Sequence, residues 1–221
     1  MTVWRASAVG LLLIAGGAFA AETPATLRDL IQRAEAGERG AMHALAESYY
    51  AGSNGAEQDF ARAAQWYHRL AKNGDVRAQT SLGLMYARGY GVNRSMAEAL
   101  RWWNFAAIQN DPGAQFNLGL AYSRGEGIPA DFERALRWYR EAARRGHVQA
   151  QHNLGLLYAE GKGAPRDAQL AYYWVRVAAL QGDLAAEDAL PALRRDLGDA
   201  QLREAEAQAA DWMRRQRKLM Q

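Results

Sequence analysis

From Ala41 onward, apolar residues recur as pairs of short helical stripes. The stripe that opens at Ala78 runs Ala78, Leu82, Gly83, Tyr86, which lines one face of an α-helix. A Gly-x-Gly break follows at Gly89 and Gly91. A second stripe then carries Ala99 and Trp102 and closes on Ala106-Ala107. The same order restarts at Ala114 and again at Ala150, without a gap, at a spacing of 36 residues. An earlier copy opens at Ala41 and is 37 residues long, the extra residue lying between Gly52 and Gly55. Self-similarity at this period is the mark of a repeat array rather than of a single closed core. Each unit reads as a helical hairpin, helix A followed by helix B.

Glycine is costly inside helices, so its placement needs a reason. Gly83, Gly119 and Gly155 fall in mid-helix A, where close approach of helix B would leave no room for a Cβ; the first copy has Ala46 there. The pairs Gly89/Gly91, Gly125/Gly127 and Gly161/Gly163 suit a left-handed C-cap and a tight turn. Asp59, Ser95, Asp131 and Asp167 stand where the N-cap of helix B belongs, and Ser95 with Glu98 has capping-box spacing. Trp66, Trp102, Trp138 and Trp174 each follow a helix B alanine by three residues, and their indoles are expected to fill the gap between hairpins, Trp138 above all. Gly146 and Gly182 stop helix B, and Asn110 takes that place in the second unit.

The resulting division is a leader at 1–20, a capping helix within 24–40, four repeats at 41–77, 78–113, 114–149 and 150–185, and a degenerate fifth repeat with a C-terminal capping helix at 186–221. The helix from Pro24 to Ala36 carries the stripe Leu27, Leu30, Ile31, Ala34, as a lone helix B would. Ala186 to Leu197 reads as a final helix A that Pro191 interrupts. Asp199 is expected to cap a last helix that turns Leu202, Ala205, Ala209 and Trp212 inward. End units of a solenoid are atypical because one side of each must face water.

The pattern Ala-x-x-x-Leu-Gly-x-x-Tyr-x-x-Gly-x-Gly, then Ala-x-x-Trp-Tyr-x-x-Ala-Ala-x-x-Gly, resembles the Sel1-like repeat family, cousins of the tetratricopeptide repeats. Ala114 to Gly146 matches it nearly residue for residue, and the likeness covers about 41–185. Departures are Ala46 for glycine and Trp103 and Val175 for tyrosine. The resemblance implies an all-α fold, a right-handed α–α superhelix with helix A lining the concave face, of the exported bacterial type. It also implies contacts with proteins rather than catalysis. A cysteine-rich secreted branch of that family is associated with β-lactam binding; this chain has no cysteine, and that function is not expected of it.

The leader MTVWRASAVGLLLIAGGAFA has Arg5 before an apolar stretch and ends on Ala18-Phe19-Ala20. That reads as a secretory signal peptide with the mature chain starting at Ala21 or Glu22; the other reading is an uncleaved N-terminal anchor. A periplasmic or secreted protein is expected, with no integral membrane segment after cleavage. Twenty-seven basic residues against 24 acidic leave the chain near neutral, which argues against a nucleic-acid partner. The one dense basic run, Arg214, Arg215, Arg217 and Lys218, reads as a solvated helix end or as a membrane-surface contact.

Chemistry is sparse. The four histidines, His43, His68, His147 and His152, have no second ligand at helical spacing, no serine sits in a nucleophile elbow, and no carboxylate pair marks a glycosidase. No catalytic residue, metal or cofactor is expected. Glu133 and Arg137 have the spacing of a surface ion pair on helix B. The candidate surface is therefore the side of helix A that points away from its Leu/Gly/Tyr face: His43 and Glu47; Thr80, Leu84 and Arg88; Phe116, Leu120 and Arg124; His152, Leu156 and Glu160. Leu84, Leu120 and Leu156 either form an apolar ladder down the concavity or pack against the next helix A. The first reading, with Arg88 and Arg124 at its edge, suits a peptide or protein with apolar anchors and an acidic flank. The alternative function is a binding module for a cell-wall glycan or peptidoglycan fragment, using exposed rings of Tyr50, Tyr90 and Phe116.

Overall fold

The structure, a computed structural model, describes residues 26–219. Among these residues the chain forms eleven helices and no strand. A short helix, α1 (Leu27–Glu35), leads four hairpins: α2 (Arg39–Ala51) with α3 (Phe60–Lys72), α4 (Val76–Arg88) with α5 (Met96–Ala107), α6 (Pro112–Arg124) with α7 (Phe132–Arg144), and α8 (Val148–Glu160) with α9 (Ala168–Ala179). Then come α10 (Leu184–Arg194) and α11 (Asp199–Leu219). Contacts run almost entirely between consecutive helices, the signature of a solenoid. The leader expected at residues 1–20 and the start at Pro24 lie outside the described residues.

Each helix ends where its chemistry says it should. Gly52, Gly89, Gly125 and Gly161 close the four A helices in the left-handed conformation, φ between 67° and 75°. Asn110 does the same job after α5, at φ 68°. The side chains of Asp59, Ser95, Asp131 and Asp167 accept the N–H three residues on, as expected for B-helix caps.

Mid-helix glycines answer to the residue that faces them across the hairpin. A Cβ on Gly83 would lie 2.5 Å from the Trp103 ring, one on Gly119 2.6 Å from Tyr139, and one on Gly155 2.6 Å from Val175 and 2.8 Å from the Ala171 carbonyl oxygen. Trp138, expected to be buried between hairpins, packs against the cluster that Trp103, Ala106 and Ala107 of α5 form with Leu118 of α6 but is only half-buried, whereas Tyr139, which meets the glycine, is 2 % exposed. Trp66 is half-buried as well, while Trp102 and Trp174 are covered. Successive helical residues are about 100° apart, so the one after the tryptophan meets the glycine. The second glycine of each loop has a tertiary reason too: Gly91 and Gly163 lie against the backbone at Phe60 and Phe132, and Gly127 against Met96, in the preceding repeat.

Both ends differ in detail from expectation. Leu30 and Ala34 of α1 are buried on the first hairpin, with Leu27 and Ile31 alongside. Helix α10 runs through Pro191 and ends at Arg194, forgoing the bond that an N–H at position 191 would make to the Glu187 carbonyl. Asp199 is the first residue of α11 and not its cap: Leu202 donates to the Gly198 carbonyl, and the Gln201 side chain accepts the Gly198 N–H. Ala205 and Ala209 are fully buried; Leu202 and Trp212 are half-buried.

Candidate functional site

The A helices α2, α4, α6 and α8 carry the expected surface, and its residues divide into two groups. The first group, two residues after the repeat-start alanine, is taken up by packing between repeats. His43 Nε2 lies 2.8 Å from Asp75 Oδ2, Thr80 donates to Asp111 at 2.8 Å, and His152 Nδ1 lies 3.3 Å from Asp183. Phe116 stacks on His147, ring centroids 4.5 Å apart. In each case the partner is the residue that caps the next A helix. Asp75, Asp111, His147 and Asp183 accept the N–H groups of Ala78, Ala114, Ala150 and Ala186. Burial pushes the His147 imidazole below its ordinary range, which keeps Nδ1 an acceptor for that amide. Asp75 is also held by Arg39 at 2.7 Å. Burial alone would raise its carboxyl; the bonds from His43, the Ala78 N–H and Arg39 outweigh that and hold it at about 2.

The second group faces solvent. Leu84 is 36 % exposed, and Leu120 and Leu156 are half-buried. Leu84, Arg88, Leu120 and Arg124 line one cavity of about 320 Å³, with Met96 and Trp103 behind them. Leu120 and Arg124 also line a neighbouring cavity of about 670 Å³, with Phe116 and His152 on its wall and the Gln181–Ala185 turn beyond. Leu156 lines neither of these two. Arg124 is 3.3 Å from Glu126, and Arg88 makes no ion pair among the described residues. Glu47 is bound to Arg77 at 3.0 Å and Glu160 to Lys162 at 2.6 Å, so both are tied to their neighbours.

The rings expected for a glycan are each partly engaged by neighbours. Tyr50, Phe60 and Tyr90 form one cluster, with Phe60 and Tyr90 stacked at 4.9 Å, and Phe116 is covered by His147. Tyr50, Tyr90 and Phe116 are all half-buried. Glu133 and Arg137 form no ion pair among the described residues, despite their spacing. Among those residues no cluster of three or more His, Cys, Asp or Glu could hold a metal, and no helix is long and apolar enough to cross a membrane.

A buried amide ladder escaped the sequence reading. Gln79, Gln115 and Gln151 each donate to the carbonyl of an alanine in the preceding B helix, Ala71, Ala107 and Ala143. Gln109 and Gln181 donate to the oxygens of Gln79 and Gln151. Arg145 has the corresponding place in the central unit and turns instead to Asn110 and Glu141, so Gln115 Oε1 is left buried without a partner. The recurrence of glutamine directly after the repeat-start alanine was the available signal.

The Sel1 repeat model matches residues 40–75, 76–111, 112–147 and 148–183, well over half of the chain. The chain belongs to the Sel1 repeat family. These Sel1 units begin one or two residues before the repeat-start alanines, at the first residue of α4, α6 and α8 and one residue into α2. Among solved structures, a protective antigen of uropathogenic Escherichia coli strains that displays an SLR fold is 32 % identical, with a TM-score of 0.78 over 85 % of this chain and 40 % of that one. A Sel1 repeat protein from Oxalobacter formigenes is 34 % identical, with a TM-score of 0.67 over 76 % of this chain and 48 % of that one. The chain thus spans less than half the length of either relative. No match was found among curated proteins. Sel1 repeats are a scaffold fold that generally mediates contacts between proteins.

Proposed function

We propose that this Sel1 chain is a non-enzymatic interaction module of the cell envelope that holds a peptide or protein along its A-helix face. One observation carries the reading: Leu84, Leu120, Arg88 and Arg124 converge on one cavity, and Leu120 and Arg124 extend it into the next. An apolar floor edged by the guanidinium groups of Arg88, Arg94 and Arg124, with Glu126 paired to the last, suits a segment with an apolar anchor and an acidic flank. His43 and Thr80, engaged with the next caps, support this surface from the side, whereas Phe116 and His152 also wall its second cavity. The envelope part rests on the leader sequence, Arg5 through Ala20.

The test begins with crosslinking in envelope fractions, where the mass of the captured chain should correspond to a start at Ala21 or Glu22. An intact Met1 terminus would remove the envelope part. The captured partner is then titrated against wild type, Leu84→Ala, and the double reversal Arg88→Glu with Arg124→Glu. Leu84→Ala should weaken binding by about 1–2 kcal/mol. The double reversal should slow association and change its salt dependence. Both variants should keep wild-type helicity, because the altered side chains are exposed. Equal binding by all three would place the working surface elsewhere.

A further inference from the structure

The chain contains its own example of a helix docked on the outer ridge of a B helix. Helix α11 folds back onto α9. It buries Ala205 and Ala209 there, and its Glu206 carboxylate accepts from the Tyr172 hydroxyl at 2.6 Å and from Arg176 Nε at 2.9 Å. Up to Trp212 the helix is acidic, with Asp199, Glu204, Glu206 and Asp211 against Arg203; its end, Arg214 to Lys218, is basic, and Arg214 and Arg215 pair with Asp211.

One repeat earlier, Leu136 and Arg140 stand where α9 has Tyr172 and Arg176, and α8 already engages them: Leu136 is buried and Arg140 donates to the Tyr158 hydroxyl at 2.7 Å. Beside them, no counterpart of α11 lies along Arg137, Glu141 and Arg144. At the 36-residue spacing, Arg140 corresponds to Arg176, Arg137 to Tyr173 and Arg144 to Leu180, while Trp138 corresponds to Trp174. Trp174 is buried and Trp138 only half so, and Val177 is fully buried where Glu141 is not. What takes the place of a covering helix is a cavity of about 500 Å³, with Trp138 on its wall and Asn104 of α5 at its edge. All four α7 arginines line it and Glu141 is the one carboxylate that does. Arg134 is paired with Asp131, and Glu141 is shared between Arg144 and Arg145. Arg137 makes no ion pair among the described residues. One helical turn beyond Asn104, α5 leaves Ile108 72 % exposed.

We propose that the α7 ridge is a second docking site, and that it takes an acidic helical segment of a partner protein as α9 takes α11. A carboxylate meets Arg137 and Arg144, small side chains lie over Trp138, and an apolar residue covers Ile108. The positive excess selects the acidic occupant, and the indole with its arginine rim supplies the composition on which interface anchors are built. The site lies on the B-helix side, so it is separate from the A-helix cavities and does not depend on them.

The probe is a labelled peptide with the sequence of residues 199–212, capped at both ends, titrated by fluorescence anisotropy into the full chain. Its control replaces the four carboxylates by lysine. Wild type should bind the acidic peptide, lose affinity as salt is raised, and ignore the control. Arg137→Glu with Arg144→Glu should weaken binding by at least about tenfold, while Arg137→Lys with Arg144→Lys largely retains it; melting confirms that both variants fold. Absence of binding by wild type overturns the proposal, as does binding that survives the reversal. Binding lost in Arg176→Glu but not in the Arg137/Arg144 reversal overturns it too, because the peptide is then displacing α11. A concentration-dependent dimer that the reversal dissolves assigns the ridge to a second copy of the chain instead of an acidic partner.

Discussion

At the scale of the residue, a hairpin of this chain is a contact between a glycine and a ring or branched side chain. Gly119 lies under Tyr139, and the missing Cβ is the space the ring occupies. Helix propensity alone favours alanine over glycine by about 1 kcal/mol. The clash at 2.6 Å outweighs that gain. Gly119→Ala should therefore destabilise the protein by a net of about 1–3 kcal/mol, as overpacked cores do. Gly155→Ala should be worse, since its Cβ would also meet the Ala171 carbonyl oxygen, which is backbone and cannot swing aside. Urea unfolding midpoints of the two variants check both the sign and the order; a stabilised Gly119→Ala would mean that the ring moves freely.

At the scale of the element, helix A is held at its start by a residue that serves two repeats at once. Asp75 caps α4 through Ala78 and receives His43 from α2. Its carboxyl stands at about 2 in the folded chain, against an ordinary 3.8. A depressed carboxyl contributes stability that is complete above its unfolded pKa and is lost as the pH falls through the folded one. The contribution, about 2 kcal/mol at most, should be present at neutral pH and disappear between about pH 4 and pH 2. Asp75→Asn should be less stable at pH 7 and show a flatter profile across that window, since asparagine still caps a helix. Urea midpoints of both proteins across the window measure it, and parallel profiles would count against the role assigned to Asp75.

At the scale of the molecule, no repeat stands alone. Tyr139 belongs to a cluster that spans α7 and α8 and touches Phe116 of α6. Tyr139→Ala should cost about 3–5 kcal/mol and loosen α6, α7 and α8 together, because each repeat supports the next. Trp138→Ala removes a half-buried side chain and should cost clearly less. Hydrogen exchange mapped along the chain separates the two. Loosening confined to α7 in Tyr139→Ala would show that the repeats are less coupled than their shared clusters imply.

The sequence by itself determined the repeat, its two helices, the glycines that end helix A and the residues that cap helix B. Those features depend on contacts within a few residues or on a period that recurs four times, and both are visible in a string of letters. It also marked Leu84, Leu120, Arg88 and Arg124 as one surface, because residues at a fixed place in each repeat stack in space. Tertiary structure alone decided what covers what. Trp138 and Tyr139 are neighbours in the chain, yet only the angle of α7 against α6 shows which of them meets Gly119. His43 and Asp75 lie 32 residues apart and in different repeats, so no helical spacing could pair them. The fold-back of α11 onto α9 is likewise decided only in three dimensions, since no helical spacing within α11 names its partner, and it exposes the contrast with the outer positions of α7.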